Sequence, residues 1–148
     1  ALRDLQLIKM AVDETSRMRP SAEPIMRTVD NDLQVGELVI PTGWMVQTAA
    51  AVDHFREDVF RNPYQYDPDR FSKERREDRG EKFAIISFGG GLHKCAGMNF
   101  AYNEMMIIAA LLFQNYDLEI ISGDPVVVRG LGSSRPSKTR VRYSRRNP

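Results

Sequence analysis

The sequence predicts an α+β fold, mainly helical, with small antiparallel sheets set between two longer helices. Three observations carry that expectation. Leu2, Leu5, Ile8, Val12 and Thr15 fall at helical spacing near the start. Met98–Asn115 holds no Gly or Pro and includes a nine-residue apolar run, Met105–Phe113. Elsewhere, short β-prone runs are broken by turn residues such as Asp30-Asn31-Asp32, Gly36 and Pro41-Thr42-Gly43.

The first helix is expected over residues 2–18, with Pro20 as its stop. The run IMRTVDNDLQVGELVIPTGWMVQ reads as a small sheet over 25–47, followed by a helical piece near Thr48–Asp53. Residues 54–82 carry prolines and aromatics without a lasting period, so they read as an irregular segment pinned by side chains. Within it, SKERREDRGEK is a charge run expected to be an exposed loop, His54 reads as a loop residue and the earlier Trp44 as packing. The second helix, 98–115, is apolar on most faces and is therefore expected to be deeply buried, with its Met-rich stretch as core. A basic, turn-rich tail over 129–148 ends the chain, with short strands at Pro125–Arg129 and Thr139–Tyr143.

At 148 residues, 42% hydrophobic and 28% charged, the chain suffices for one core. Charge is uneven: Ala1–Val128 holds 14 basic and 20 acidic residues, whereas Arg129–Pro148 holds seven basic and no acidic ones. That tail lacks any nucleic-acid reader motif and is interrupted by Gly, Ser and Pro, so it reads as a solvated tail or terminal hairpin, with no nucleic-acid partner. One cysteine excludes an internal disulfide. The nine-residue apolar run is far too short for a bilayer span. The opening ALRDLQLIKM carries no initiator Met and is already helical in pattern, as in a chain cut from something longer.

The one cysteine, Cys95, lies in FGGGLHKCAG, behind three glycines and just before the apolar helix. A thiolate is stabilised by a helix N-terminus or by nearby cations; the helix begins just after Cys95, and His93 and Lys94 precede it. Gly89, Gly90 and Gly91 permit backbone angles closed to other residues and a close approach by a flat group, and Gly97 allows tight packing at the first helical turn. Competing chemistries fit less well. A Walker loop needs a Gly-Lys-Ser/Thr ending, and the dinucleotide fingerprint needs glycine where Lys94 stands. A structural zinc site needs four ligands, against one Cys and two His here. A cysteine hydrolase needs a base, and the only distant histidine is His54. A single thiolate on a glycine-rich turn suits the axial position of a haem iron; the plainer reading of a lone Cys is a buried structural thiol.

FGGGLHKCAG resembles the cysteine-ligand loop of the cytochrome P-450 superfamily, Phe-x-x-Gly-x-x-x-Cys-x-Gly, at Phe88, Gly91, Cys95 and Gly97. ETSR, Glu14 to Arg17, is similar to that family's Glu-x-x-Arg motif, and DPDRF, Asp67 to Phe71, to its Pro-x-Arg-Phe segment. The resemblance implies the C-terminal part of the family's fold, incomplete as a catalytic domain, because the long helix with its acid–Thr motif is absent. It implies haem b (iron protoporphyrin IX) as cofactor, Cys95 as the metal ligand, and no catalytic residue within this chain. Further cofactor-binding candidates are His93 and Arg27 as propionate partners, and Phe88, Gly89, Gly91 and Gly97 around the sulfur. Glu14, Arg17 and Arg70 become a buried structural network rather than a surface pair.

The activity implied is monooxygenation of a hydrophobic substrate. Electrons come from a ferredoxin, flavodoxin or flavoprotein reductase, and a missing N-terminal part of the same protein or a second chain completes the domain. RVRYSRR and the segment around DLEI are similar to the microbial sterol-demethylase branch. Ala22–Ile25 and Gly130–Ser134 correspond to pocket-lining segments. Lys94 is the expected contact for an acidic electron donor, with Lys73, Arg75, Arg76 and Lys82 read as solvated surface. Microbial members are soluble and cytoplasmic, whereas eukaryotic ones carry an N-terminal membrane anchor. Two other readings stay open: a haem-binding fragment or degenerate relative without oxygenase activity, and a small interaction domain without haem.

Overall fold

Proline at position 20 denies Arg19 helical backbone angles, and the first helix stops there. A computed structural model describes residues 5–22, 24–130 and 133–146. Helix α1 is Gln6–Met18, with Arg19 at φ −139° and ψ 64° beyond its end. No side chain caps its N-terminus, so its stability comes from tertiary contacts. The buried residues are Met10, Asp13, Glu14 and Arg17, a single helical face at i, i+3, i+4 and i+7. This is not the expected aliphatic face. Leu5, Ile8 and Val12 are only half-buried and Thr15 is exposed, while Leu2 lies outside the described residues. The charged face wins because residues 54–77 bring matching hydrogen-bond partners to it.

The segment expected to form one sheet over 25–47 forms two ladders. Strands β1 (Ile25–Thr28) and β4 (Met45–Thr48) pair antiparallel from Ile25↔Thr48 to Thr28↔Met45. Between them, β2 (Leu33–Val35) and β3 (Leu38–Ile40) form a hairpin in register Leu33↔Ile40. Gly36, at φ +58°, opens the two-residue connection of that hairpin, as the primed turns require. Asp32 closes the open end of this hairpin: its carboxylate accepts from Thr42 N–H at 2.8 Å and Thr42 Oγ1 at 2.9 Å. Those bonds, the backbone one first, hold its carboxyl below its ordinary value. Trp44, expected to pack, is 63% exposed.

Helix α2 is the single turn Ala50–Asp53. Residues 54–82 contain only two short 3-10 turns, Pro68–Phe71 and Glu77–Arg79. Helix α3 is Met98–Asn115 and runs directly into β5 (Tyr116–Ile120). Strand β5 pairs antiparallel with β8 (Val141–Arg145), and β6 (Val127–Arg129) with β7 (Ser134–Pro136). Much of the basic tail is thus in strands, exposed and partly ion-paired through Arg142–Glu119 and Arg146–Asp117. Ser134 N–H donates to Ser21 O, which sets the β6–β7 hairpin beside the end of α1.

The interior is polar. Among the described residues the largest fully buried side chains are Arg17, Arg70, Phe60, His54 and Glu14. Helix α3 corrects the expectation of deep burial: only Met106 is buried, while Phe100, Ile107, Ile108, Leu111, Leu112 and Phe113 are exposed. Its packing partners in the chain are α1 and β5, which cover one side of a helix that is apolar nearly all round.

Candidate functional site

Glu14 organises the buried network. Arg17 meets its carboxylate with both fork nitrogens, Nε to Oε2 at 2.8 Å and Nη2 to Oε1 at 2.9 Å. Oε1 also accepts from Arg70 Nε and from Asp67 N–H, each at 3.0 Å. The remaining guanidinium donors go to backbone carbonyls: Arg17 to His54 O and Pro63 O, Arg70 to Arg61 O and Gln65 O. Arg70 Nη1 further reaches Glu77 Oε2 at 2.6 Å. Two cations therefore face two carboxylates, and every arm of both arginines is used, which buried charges require. The Phe60 ring lies 5.1 Å from the Arg17 guanidinium and 6.0 Å from that of Arg70, adding cation–π attraction where water is excluded.

The charge run after Phe71 is not simply an exposed loop. Arg75 bridges Asp67 at 2.7 Å and Glu77 at 2.6 Å. Burial acts to raise the Glu77 carboxyl, but Arg75 and Arg70 together outweigh it and hold it below its ordinary value. Asp67 follows the same pattern, with burial opposed mainly by Arg75 and then by the Arg70 charge.

The Cys95 loop begins where three consecutive residues are tied down. Ile86 N–H donates to His54 Nε2 at 2.9 Å. Ser87 Oγ donates to Ser16 O in α1 at 2.8 Å. The Phe88 ring packs on Tyr102 of α3, centroids 5.3 Å apart. Burial, the charge of Asp13 and a hydrogen bond with Asp13 push the Tyr102 phenol above its ordinary value, and Asp13 is itself paired with Lys9 at 2.6 Å. From there the chain turns: Gly89 N–H donates to Ile86 O and Cys95 N–H to Phe88 O, both at 2.8 Å.

All three glycines have specific reasons to be glycine, two of backbone angle and one of space. Gly89 sits at φ +71°, and a Cβ there would lie 3.0 Å from His93 O. Gly91 sits at φ +61° with open space where a Cβ would go. Gly90 does not offer its face to a ligand, because the Phe83 ring occupies it, 2.9 Å from an added Cβ. Gly97, the N-cap of α3, faces the sulfur: a Cβ there would be an ordinary 3.8 Å from Cys95 Sγ. The tight packing expected at Gly97 is not present among the described residues.

Cys95 is exposed among the described residues. His93 and Lys94 lie exposed on the same turn. Arg27 is on β1, exposed, and its guanidinium donates to Met26 O; no described hydrogen bond or ion pair joins it to the Cys95 loop. Of the two expected pocket segments, Glu23, Leu131 and Gly132 lie outside the described residues. Their neighbours Ser21 and Ser134 meet and line a groove of about 460 Å³ with Met18, Phe55, Val127 and Arg129.

His54, Ser87 and Tyr102 were not singled out in the sequence as members of the site. His54 stands in the turn that follows α2, as expected of a loop residue, but it is fully buried, with Nδ1 2.8 Å from Arg17 O. Its only sequence signal is a position next to a short helix, too common to act on. The donor set suits a haem iron. Among the described residues no group of three or more His, Cys, Asp or Glu is placed to hold a metal ion, so one exposed thiol, on a pinned turn at the head of α3, would serve a metal whose other ligands come from a macrocycle.

The sequence model described as Cytochrome P450 matches residues 1–139, and the chain belongs to the cytochrome P450 family, a family whose cofactor is haem. Its relatives among curated proteins include lanosterol 14-alpha demethylase of Bos taurus, 33% identical over 99% of this chain and 29% of that protein. Sterol 14alpha-demethylase of Mycolicibacterium vanbaalenii is 32% identical over 99% of this chain and 33% of that protein. Among solved structures, the retinoic acid bound cyanobacterial CYP120A1 aligns with a TM-score of 0.89 at 28% identity, over 97% of this chain and 34% of that one. The chain thus spans roughly a third of the length of the relatives it matches. No helix among the described residues is long and apolar enough to cross a membrane.

Proposed function

We propose that this chain is the C-terminal haem-thiolate portion of a longer cytochrome P450 domain. In this reading the whole protein is a monooxygenase acting on a hydrophobic, sterol-like substrate. The carrying observation is Cys95 itself: an exposed thiol whose backbone N–H is fixed to Phe88 O and whose sulfur lies over the N-cap of α3. The sterol class rests on the demethylase relatives. The net reaction consumes one O2, two electrons and two protons, converting a C–H to a C–OH and releasing water. Haem, when bound, would supply the oxygen chemistry, and the electron-donating Cys95 thiolate would hold its iron.

The chain's own residues hold and shield. Cys95 donates the thiolate. Phe88, half-buried and braced by Tyr102, would limit water at the sulfur once haem covers the thiol, which tunes the local dielectric. His93 supplies a polar contact from the same turn, and Arg27 a planar fork for a carboxylate. Glu14, Arg17 and Arg70 maintain the fold beneath the loop. Electrons arrive from a ferredoxin, flavodoxin or flavoprotein reductase meeting the Cys95 face, where Lys94 is exposed. No catalytic residue is assigned within this chain, and taken alone it would cradle haem rather than oxygenate.

The test is the carbon-monoxide difference spectrum of the reduced protein, made from the longest reading frame that carries this sequence. A strongly red-shifted Soret band, lost in Cys95→Ser, is the expected result. The same band persisting in Cys95→Ser would refute the ligand assignment.

A further inference from the structure

We infer that His54 is a positioning residue for the Cys95 loop, orienting through its Nε2 the Ile86 amide at the head of the backbone that carries the thiolate; this rests on Cys95 being the haem ligand.

The imidazole is fully buried. Ile86 N–H donates to its Nε2 at 2.9 Å, and a ring nitrogen that accepts carries no proton. The ring proton is therefore on Nδ1, where it is donated to Arg17 O at 2.8 Å. One tautomer satisfies both contacts and the reverse one satisfies neither. Arg17 also holds the other end of the same residue, since its Nη1 donates to His54 O. The ring is thus gripped through Arg17 on two sides, and its remaining nitrogen orients the Ile86 amide.

What that amide controls lies within the next nine residues. Ile86 O accepts from Gly89 N–H, which sets the turn into the glycines, and Phe88 O accepts from Cys95 N–H. The hydrogen-bonded route from the Arg17 network to the cysteine amide is continuous except for short stretches of backbone. Ser87 and Phe88 are attached to α1 and α3 in parallel. Those contacts fix where the segment lies, whereas His54 fixes which way the Ile86 peptide faces. The Ile86 N–H lies on the 85–86 peptide and the carbonyl that accepts from Gly89 on the 86–87 peptide, so a rotation of the first acts on the Gly89 turn, and on Cys95 beyond it, through the Ile86 α-carbon the two share.

The two contacts of the ring can be separated with amide isosteres. In His54→Asn the side-chain NH2 takes the place of Nδ1 and keeps Arg17 O, while the acceptor for Ile86 is lost. In His54→Gln the longer side chain places its carbonyl oxygen near Nε2 and keeps Ile86. Both are made in the haem-loaded protein from the longest reading frame. Three quantities are read: the rate at which the red-shifted carbonyl band converts to the normal-position band on warming, the haem midpoint potential, and the thermal midpoint.

Loss of one buried hydrogen bond is expected to speed the conversion by roughly tenfold in His54→Asn. His54→Gln should stay within about twofold of the parent, with similar thermal midpoints for the two variants. Asn behaving like the parent, or Gln being as damaged as Asn, overturns the inference while leaving Cys95 in place. A parent protein without the red-shifted band overturns the Cys95 reading and this one with it. Should His54→Asn fail to fold, hydrogen exchange in the parent decides: Ile86 and Gly89 amides as slow as those of α1 support the link, and fast exchange at either overturns it.

Discussion

Helices α1 and α3 invert the usual relation between hydropathy and burial. Three of the four buried residues of α1 are charged, whereas α3, apolar nearly throughout, buries only Met106. Burial is decided by partners. Residues 54–77 meet Glu14 and Arg17 with a guanidinium, backbone carbonyls and an N–H. Among the described residues Phe100, Ile107, Ile108 and Leu111 are left 41–74% exposed. A charged face with every bond made is a better interior than an apolar face with no counterpart.

The largest break in the comparison comes from stranding one charge. Arg17→Met leaves Glu14 buried with half its partners, and a loss of roughly 3–5 kcal/mol is expected in denaturant unfolding. A loss under about 1 kcal/mol would mean that Glu14 is not held as described. The triple change Glu14→Leu, Arg17→Met, Arg70→Met should recover only part of that loss, because Glu14 is no longer a stranded charge but the carbonyls of His54, Pro63, Arg61 and Gln65 lose their donors.

Next in size is α3. In the protein from the longest reading frame, Met106→Ala should cost about 2–5 kcal/mol, and Leu111→Ala a similar amount if further chain covers that face. A Leu111→Ala cost near zero would leave the face in water and count against the longer domain proposed above.

Acid sharpens the polar side. Asp67 and Glu77 are both held below their ordinary values in the folded protein. Their contribution is therefore complete above the unfolded values, about 4 to 4.5, and is lost as pH falls through the lower folded ones. Urea midpoints measured downward from pH 5 should fall in that window, and the slope should lessen in Glu77→Gln. The smallest effect belongs to the exposed strands: Arg142→Ala, which removes a pair to Glu119 with both side chains over 60% exposed, should shift stability by less than about 1 kcal/mol.

What the sequence disclosed follows the same division. Cys95, Glu14, Arg17 and Arg70 were legible because each stands in a short motif where residue type and spacing carry the chemistry. The two long helices were legible from period and from the lack of breakers. His54 and Ser87 were not, because their partners are backbone atoms 32 to 71 residues away, and a carbonyl or an N–H leaves no mark on the sequence. On the buried face of α1, Glu14 and Arg17 were legible through their motif but Met10 and Asp13 were not, since periodicity finds the apolar stripe and is silent about charges that will be matched. Hydropathy likewise states that α3 prefers cover, not what provides it.

The Glu14–Arg70 contact spans 56 residues, which gives the network a place in time. At the usual pace of synthesis, about 5–20 residues per second, α1 leaves the ribosome roughly 3–11 seconds before the arginine that completes its charged face. Through that interval Glu14 and Arg17 have water for company, and the segment, whose helix depends on tertiary contacts, keeps its charged side solvated. The Cys95 loop emerges later still, onto a platform whose polar foundation has had time to close.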